Sequence, residues 1–288
     1  MNTGEKESGS AWTEVIEPRS SLFDWKLKEV WNYRDLLRMF VRRDLVATYK
    51  QTILGPLWFF IQPIFTTITF TIVFGNFAGI SSDGQPRMVF YMAGLTLWNY
   101  FSECFTKAST VFTTNANIFG KVYFPRLIMP LTIVVSNLIK FAIQYLLFLV
   151  FYGYFIFKGN SSIQPNNYLL LTPLLLVLMA GISLGAGMIF SAMTTKYKDL
   201  TFLLTFGIQL LMYATPVIYP LASIPDQYKT YVLLNPLTAV IETFRYGYLG
   251  TGTFSWSALG YSTIFMILLL LSGITIFNRV ERSFMDTV

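Results

Sequence analysis

The chain is predicted to be an all-α polytopic membrane protein. It has six transmembrane helices, an amphipathic interface helix ahead of them, and short helices between the fifth and sixth spans. Three observations predict this. Of its 288 residues, 54% are hydrophobic and only 12% are charged, whereas soluble domains carry roughly a quarter charged residues. Apolar runs of the ~20 residues that cross a bilayer as helix recur along its length. The Lys and Arg residues are distributed unevenly between those runs.

Taken in order, residues 1–21 form a polar tail, without the apolar core of a cleaved signal peptide. Residues 22–50 predict an amphipathic helix at the membrane surface. Arg34, Arg38 and Arg42 recur every four residues and share a face, while Tyr33, Leu36, Leu37 and Phe40 fall mostly on the other, preceded by Trp25 and Trp31. That pattern suits a helix in the headgroup layer with its arginines toward anionic lipid; a solvated charged helix is the plainer alternative. The membrane domain occupies residues 51–288, with spans over residues 57–79, 89 to past 107, 131–155, 168–193, 200–219 and 256–277. Gly55 permits the bend out of the surface helix, Pro56 suits the first turn of the next one, and Pro63 predicts a kink. Gly181, Gly185 and Gly187 predict close helix packing in the fourth span. Residues 220–255 are long and still rather apolar. Within them Asn235-Pro236 reads as N-cap and first helical residue, and Gly250 as a stop. The helix between them, about 14 residues or roughly 21 Å, is too short to span. It either re-enters the membrane or rests at the outer surface beside a shorter helix at residues 228–234.

Charge sets the expected orientation. Residues 1–50 hold nine Lys and Arg; Lys107, Lys121, Arg126, Lys196, Lys198, Arg279 and Arg282 fall on the same side, making sixteen of twenty-one. Arg87, Lys158, Lys229 and Arg245 fall on the other, and Lys140 lies within a span. Both termini are therefore expected in the cytoplasm, which supports the even count of six spans.

The composition excludes several function classes. There is no His and a single Cys, which removes the commonest general base and any internal disulfide framework. No phosphate-binding loop, metal cluster or nucleophile elbow occurs. Uphill movement would need an ion gradient or a separate energy-coupling subunit. What remains is on the span faces. Phe59, Gln62, Thr66, Phe70, Val73 and Phe77 form one stripe on the first span, with Thr69 beside it. Phe202, Thr205, Gln209, Met212, Tyr213 and Pro216 form another on the fifth. Amides and hydroxyls between aromatic rings suit a pore along which sugar rings slide; helix–helix packing is the alternative. Glu103 and Lys107 are i, i+4, and Lys140 lies in the third span at similar depth. Lys140 either pairs with Glu103 or reaches toward water. The inner loop, residues 114–127, is basic and aromatic. It is either a small helix docking into a partner's groove or an ordinary positively charged inner loop.

Five stretches, "RRDLVATYKQTILGPLWFFIQP", "NIFGKVYFPRLIMP", "SAMTTKYKDLTFLL", "YATPVIYPLASIP" and "NPLTAVIETFRYGYLG", together resemble the permease subunit of ABC-type polysaccharide exporters, the Wzm-like group of O-antigen, capsule and teichoic acid export. The resemblance covers about residues 25–286. It implies a homodimer joined to two copies of a cytoplasmic ATP-binding subunit in the inner membrane of a bacterium. ATP and Mg would sit on that partner, with no cofactor, metal or catalytic residue on this chain. The cargo would be polysaccharide on undecaprenyl pyrophosphate; membrane lipids are further partners, and nucleic acid is not. The resemblance places the interface helix around residues 25–45. The coupling residues would be Asn117, Phe119, Lys121, Tyr123, Phe124 and Arg126, and the outer gate helices would carry Tyr228, Asn235, Pro236, Glu242 and Arg245. Lys140 departs from the family pattern, so no charge pairing is borrowed from it. The competing readings are an exporter of lipid or small hydrophobic drugs, an ion-coupled secondary transporter, and a membrane-embedded glycan-modifying enzyme.

Overall fold

The computed structural model describes residues 27–50, 52–119, 121–122, 124–159 and 162–285. The polar tail, Trp25 and Tyr123 lie outside them. Every regular element among the described residues is helical.

Helices α1 (Leu27–Asn32) and α2 (Arg34–Tyr49) come first. On α2 the side chains of Arg34, Arg38 and Arg42 are exposed. Leu36, Leu37 and Phe40 instead pack into a core cluster built on Phe112, Phe119, Phe124 and Ile128. The Phe40 and Phe124 rings are 5.7 Å apart. Part of the apolar face of α2 thus packs on this chain's own residues.

Gly55 has φ +50, a left-handed conformation open to glycine at little steric cost. It turns the chain through a 3₁₀ turn, Gly55–Leu57, into α3 (Trp58–Phe70). Pro63 lies inside α3, where it has no N–H for the Phe59 carbonyl. A π-helical stretch, Thr71–Phe77, continues α3. Together these 23 residues are long and apolar enough to cross a membrane.

α4 (Arg87–Ser109) is the central helix, with every residue from Val89 to Trp98 buried. It packs against α7 (Ile128–Phe157), α8 (Thr172–Lys196) and α11 (Pro236–Leu249). Short helices α5 (Val111–Thr114) and α6 (Ala116–Phe119) follow α4. α8 lies along α12 (Trp256–Met285). A Cβ on Gly273 would come within 2.6 Å of the Gly185 carbonyl oxygen, so the two backbones touch and the glycines are there for proximity.

Four helical segments have the length and apolarity of a span: residues 55–77, 128–157, 167–196 and 256–280. The other two expected spans differ for physical reasons. α4 is long, but it carries Asn99, Glu103 and Lys107. Enclosed by other helices, it satisfies polar groups within protein and need not be as apolar as a lipid-facing helix. α9 (Leu200–Ala214) has only 15 residues, about 22 Å. The expected continuous span over residues 200–219 stops at Ala214, because Pro216 disfavours helical geometry in the residue before it.

Candidate functional site

The chain that leaves α9 is buried from Thr215 to Ile218 without being helical. Non-helical backbone in a membrane protein needs partners from the protein itself, and Arg245 on α11 supplies them. Its Nη1 donates to the carbonyls of Pro216 at 2.6 Å and Tyr219 at 3.2 Å, and its Nη2 donates to Val217. The guanidinium lies 3.9 Å from the Phe90 ring centroid and 3.6 Å from Glu242. Glu242 in turn accepts from the Thr253 amide at 3.1 Å. Gly94 leaves the space, since a Cβ there would meet Val217 O at 2.6 Å and the Arg245 guanidinium at 2.8 Å.

Of the expected gate residues, Arg245 and Glu242 are buried at the junction of α4, α9 and α11, and α11 itself is sunk in protein. Asn235 caps α11 by accepting from Leu237 N at 3.1 Å, Pro236 is its first residue, and Gly250 ends it at φ +73. By contrast α10 (Asp226–Leu233) has no buried residue, and Tyr228 is exposed on it. Lys229 holds the exposed Asp226 carboxyl below its ordinary range.

The two stripes fall on sparsely covered helices. The buried residues of α3 are Pro63 and Thr67, and that of α9 is Leu204. Gln62, Phe202, Thr205, Gln209 and Tyr213 are exposed; Phe59, Thr66 and Met212 are half-buried. Phe70 instead turns partly inward against Phe74 and Tyr91, and Pro216 is buried. Val73 and Phe77 are exposed on the π stretch that continues α3. The threonines carry little of the polar signal. Thr66 and Thr205 donate to the carbonyls of Gln62 and Thr201 in their own helices, at 2.9 and 3.0 Å. The Gln62 and Gln209 amides therefore make these faces unsuited to acyl chains.

A polar cluster adjoins the first stripe. Lys140 donates to Glu103 Oε2 at 2.8 Å, and Lys107 donates to the same oxygen at 3.2 Å. Lys107 also donates to Asn137 Oδ1 at 3.0 Å, and the Lys140 ammonium is 5.7 Å from the Phe59 ring centroid. Pairing is thus the arrangement found for Lys140. Asn137 was not anticipated; its signal was an amide three residues before Lys140 in an apolar run.

On the loop after α4 the outcome reverses the expectation. Phe119 and Phe124 are 3% and 4% exposed, inside the cluster that also holds Phe112 and Phe277. Arg126 is buried, with its guanidinium 5.3 Å from the Phe119 ring centroid. These aromatics anchor the loop to its own chain rather than offering themselves to a partner. Asn117, Lys121 and Val122 are exposed.

Mostly apolar helices with buried charges, broken backbone and polar faces left uncovered define the membrane-embedded part of a transport protein. The chain belongs to the ABC-2 type transporter family, whose model matches residues 35–249. It is similar to the O-antigen export system permease protein RfbA of Klebsiella pneumoniae, 27% identical over 253 residues covering 88% of this chain and 94% of that one. The protein of the same name from Myxococcus xanthus is 27% identical over 223 residues, 76% of this chain and 82% of that one. The polysialic acid transport protein KpsM of Escherichia coli is 24% identical over 254 residues, 85% and 93% of the two chains. The resemblance to polysaccharide-export permeases expected from the five stretches is met by these relatives.

Proposed function

We propose that the chain is the permease of an ATP-driven exporter moving O-antigen-like polysaccharide, linked to undecaprenyl pyrophosphate, across a bacterial cytoplasmic membrane. Membership of the family and the names of the relatives support the class of cargo. The observation that carries the path is that Gln62 and Gln209 stand exposed on α3 and α9, on faces the chain's own core does not cover. In a homodimer these faces, with Phe59, Thr66, Phe202 and Tyr213, line a slide of rings and amides that grips no sugar tightly. α4 and the α9 segment with its continuation to Tyr219 complete six spans, and the basic residues keep both termini in the cytoplasm.

The chain hydrolyses nothing itself; two copies of a partner ATPase bind ATP and Mg. They press on the exposed surface at Asn117, Lys121 and Val122. Phe119 and Phe124, packed between that surface, α2 and the start of α7, transmit the push. At the far end α10 is the movable lid, and α11 is its fixed base.

Single cysteines at Gln62 and Gln209 test the path, in the protein reconstituted with its ATPase. Cys104 is the single native cysteine and is buried. A membrane-impermeant thiol reagent is expected to label both positions and to spare a cysteine at Ile68, exposed about 120° around α3 from Gln62. Labelling at Ile68 with protection of Gln62 and Gln209 overturns the assignment.

A further inference from the structure

The cluster of Glu103, Lys107 and Lys140 has more charge than an internal lock requires. One carboxylate faces two ammonium groups. Both ammonium groups are in ion-pair contact with the same carboxylate, Lys107 at 3.2 Å and Lys140 at 2.8 Å. A single ion pair would join α4 to α7 and leave no net charge. The second lysine adds a cation with no carboxylate of its own, and ionisable groups on membrane helices are costly and characteristically functional.

We infer that this cluster is an anion subsite that takes the phosphoryl group of a lipid. Geometry and donor capacity both point there. Lys107 and Lys140 donate to the same oxygen at 3.2 and 2.8 Å, so their nitrogens are at most 6.0 Å apart. A phosphoryl group, with several acceptor oxygens, can bridge such a gap. Each ammonium has three donors. Among the described residues Lys107 directs two of them to Glu103 and Asn137, and Lys140 directs one to Glu103. The cluster is open on one side: the Lys107 and Glu103 side chains are 46% and 38% exposed, against 16% for Lys140. Its enclosed side, lined by Asn99, Asn137 and Gln144, offers about 10 Å³, room for about one water, so an anion enters on the Lys107 side. Lys107 lies in the last turn of α4, where the helix leads into the loop that packs under α2. The headgroup of a lipid in the leaflet beside α2 reaches that level without crossing the bilayer. The neighbouring Phe59 belongs to the first stripe, so a phosphoryl group held here stands at the foot of the proposed slide. The subsite rests on the proposed function only for which lipid is natural; binding can be measured without transport.

The full-length chain is placed in phosphatidylcholine nanodiscs doped with polyprenyl phosphate, phosphatidic acid or neutral polyprenol, and retained lipid is counted by native mass spectrometry. Polyprenyl phosphate or phosphatidic acid is expected to be retained about tenfold over polyprenol, since the added contacts are charge-assisted hydrogen bonds. Preference between the two says whether the carrier lipid or a bulk phospholipid is the ligand. Lys107→Gln should lower retention to the polyprenol level and Lys107→Arg should restore it. Glu103→Gln should raise retention several-fold, because it removes the competing carboxylate; a merely structural cluster would lose lipid on that change. Equal retention of phosphate and polyprenol by the wild type overturns the inference. So does unchanged retention in Lys107→Gln and Glu103→Gln when both elute as the wild type does. Failure of transport with phosphate binding intact would instead fault the proposed cargo path.

Discussion

Arg245 Nη1 donates to the Pro216 carbonyl at 2.6 Å, and with this bond α11 satisfies buried backbone that follows α9, which ended two residues earlier. The guanidinium fork reaches three carbonyls that a helix would otherwise satisfy within itself. A family of buried polar atoms depends on it, so the first prediction concerns its removal.

Arg245→Ala strips those carbonyls and leaves Glu242 buried without its counter-charge. Breaking a buried pair costs roughly 3–5 kcal/mol, and a markedly lower thermal midpoint in detergent is expected. Arg245→Lys should be nearly as damaging, because an ammonium cannot reproduce a planar fork. The double change Arg245→Met with Glu242→Met should be milder than Arg245→Ala alone.

The loop after α4 separates stability from docking. Phe124→Ala empties a buried site beside Phe40 and Phe119 and should cost about 3–5 kcal/mol, seen as lost yield and a lowered midpoint. Lys121→Ala, on the exposed surface, should leave the midpoint unchanged and weaken co-purification with the ATPase. Equal loss of stability in both would refute the division.

Asp83 has φ +51, a left-handed conformation that Asn and Asp tolerate best among side-chain-bearing residues. Burial pushes its carboxyl above the ordinary range, with Arg245 opposing. A carboxyl raised in the folded state binds its proton more readily there. Its contribution to stability is full below the unfolded value and lost as pH rises through the folded one. Thermal midpoints at acid and neutral pH should show this loss in the wild type, and Asp83→Asn should abolish that part of the difference.

Gly273→Ala sets a methyl against the Gly185 carbonyl and forces α12 off α8, at about 1–3 kcal/mol. Gly207→Ala on α9 meets nothing within 4 Å and should stabilise slightly, by up to about 1 kcal/mol from helix propensity alone. Unfolding in detergent compares the two; similar losses would mean the α8–α12 contact is looser than described.

Local pattern and burial divide what was legible. The arginine face of α2, the turn at Gly55, the Asn235 cap and the stop at Gly250 were readable because each depends on neighbours within a turn or two of chain. Four apolar spans were readable because hydrocarbon thickness sets their length. Pro216 marks the end of α9, but the run around it stays apolar, so composition alone carries the span past it.

By itself, then, the sequence determined that this chain lives in a membrane, which segments are helical and where several of them start and stop, since backbone geometry and transfer from water act residue by residue. Only the tertiary structure decided which faces are covered. It turned Phe119 and Phe124 inward, sank α11 so that Arg245 meets carbonyls 26 to 29 residues away in the chain, and brought Lys107 and Lys140 onto one oxygen of Glu103. Those outcomes depend on which helices pack together, and no local periodicity encodes the distance between two charges on different helices.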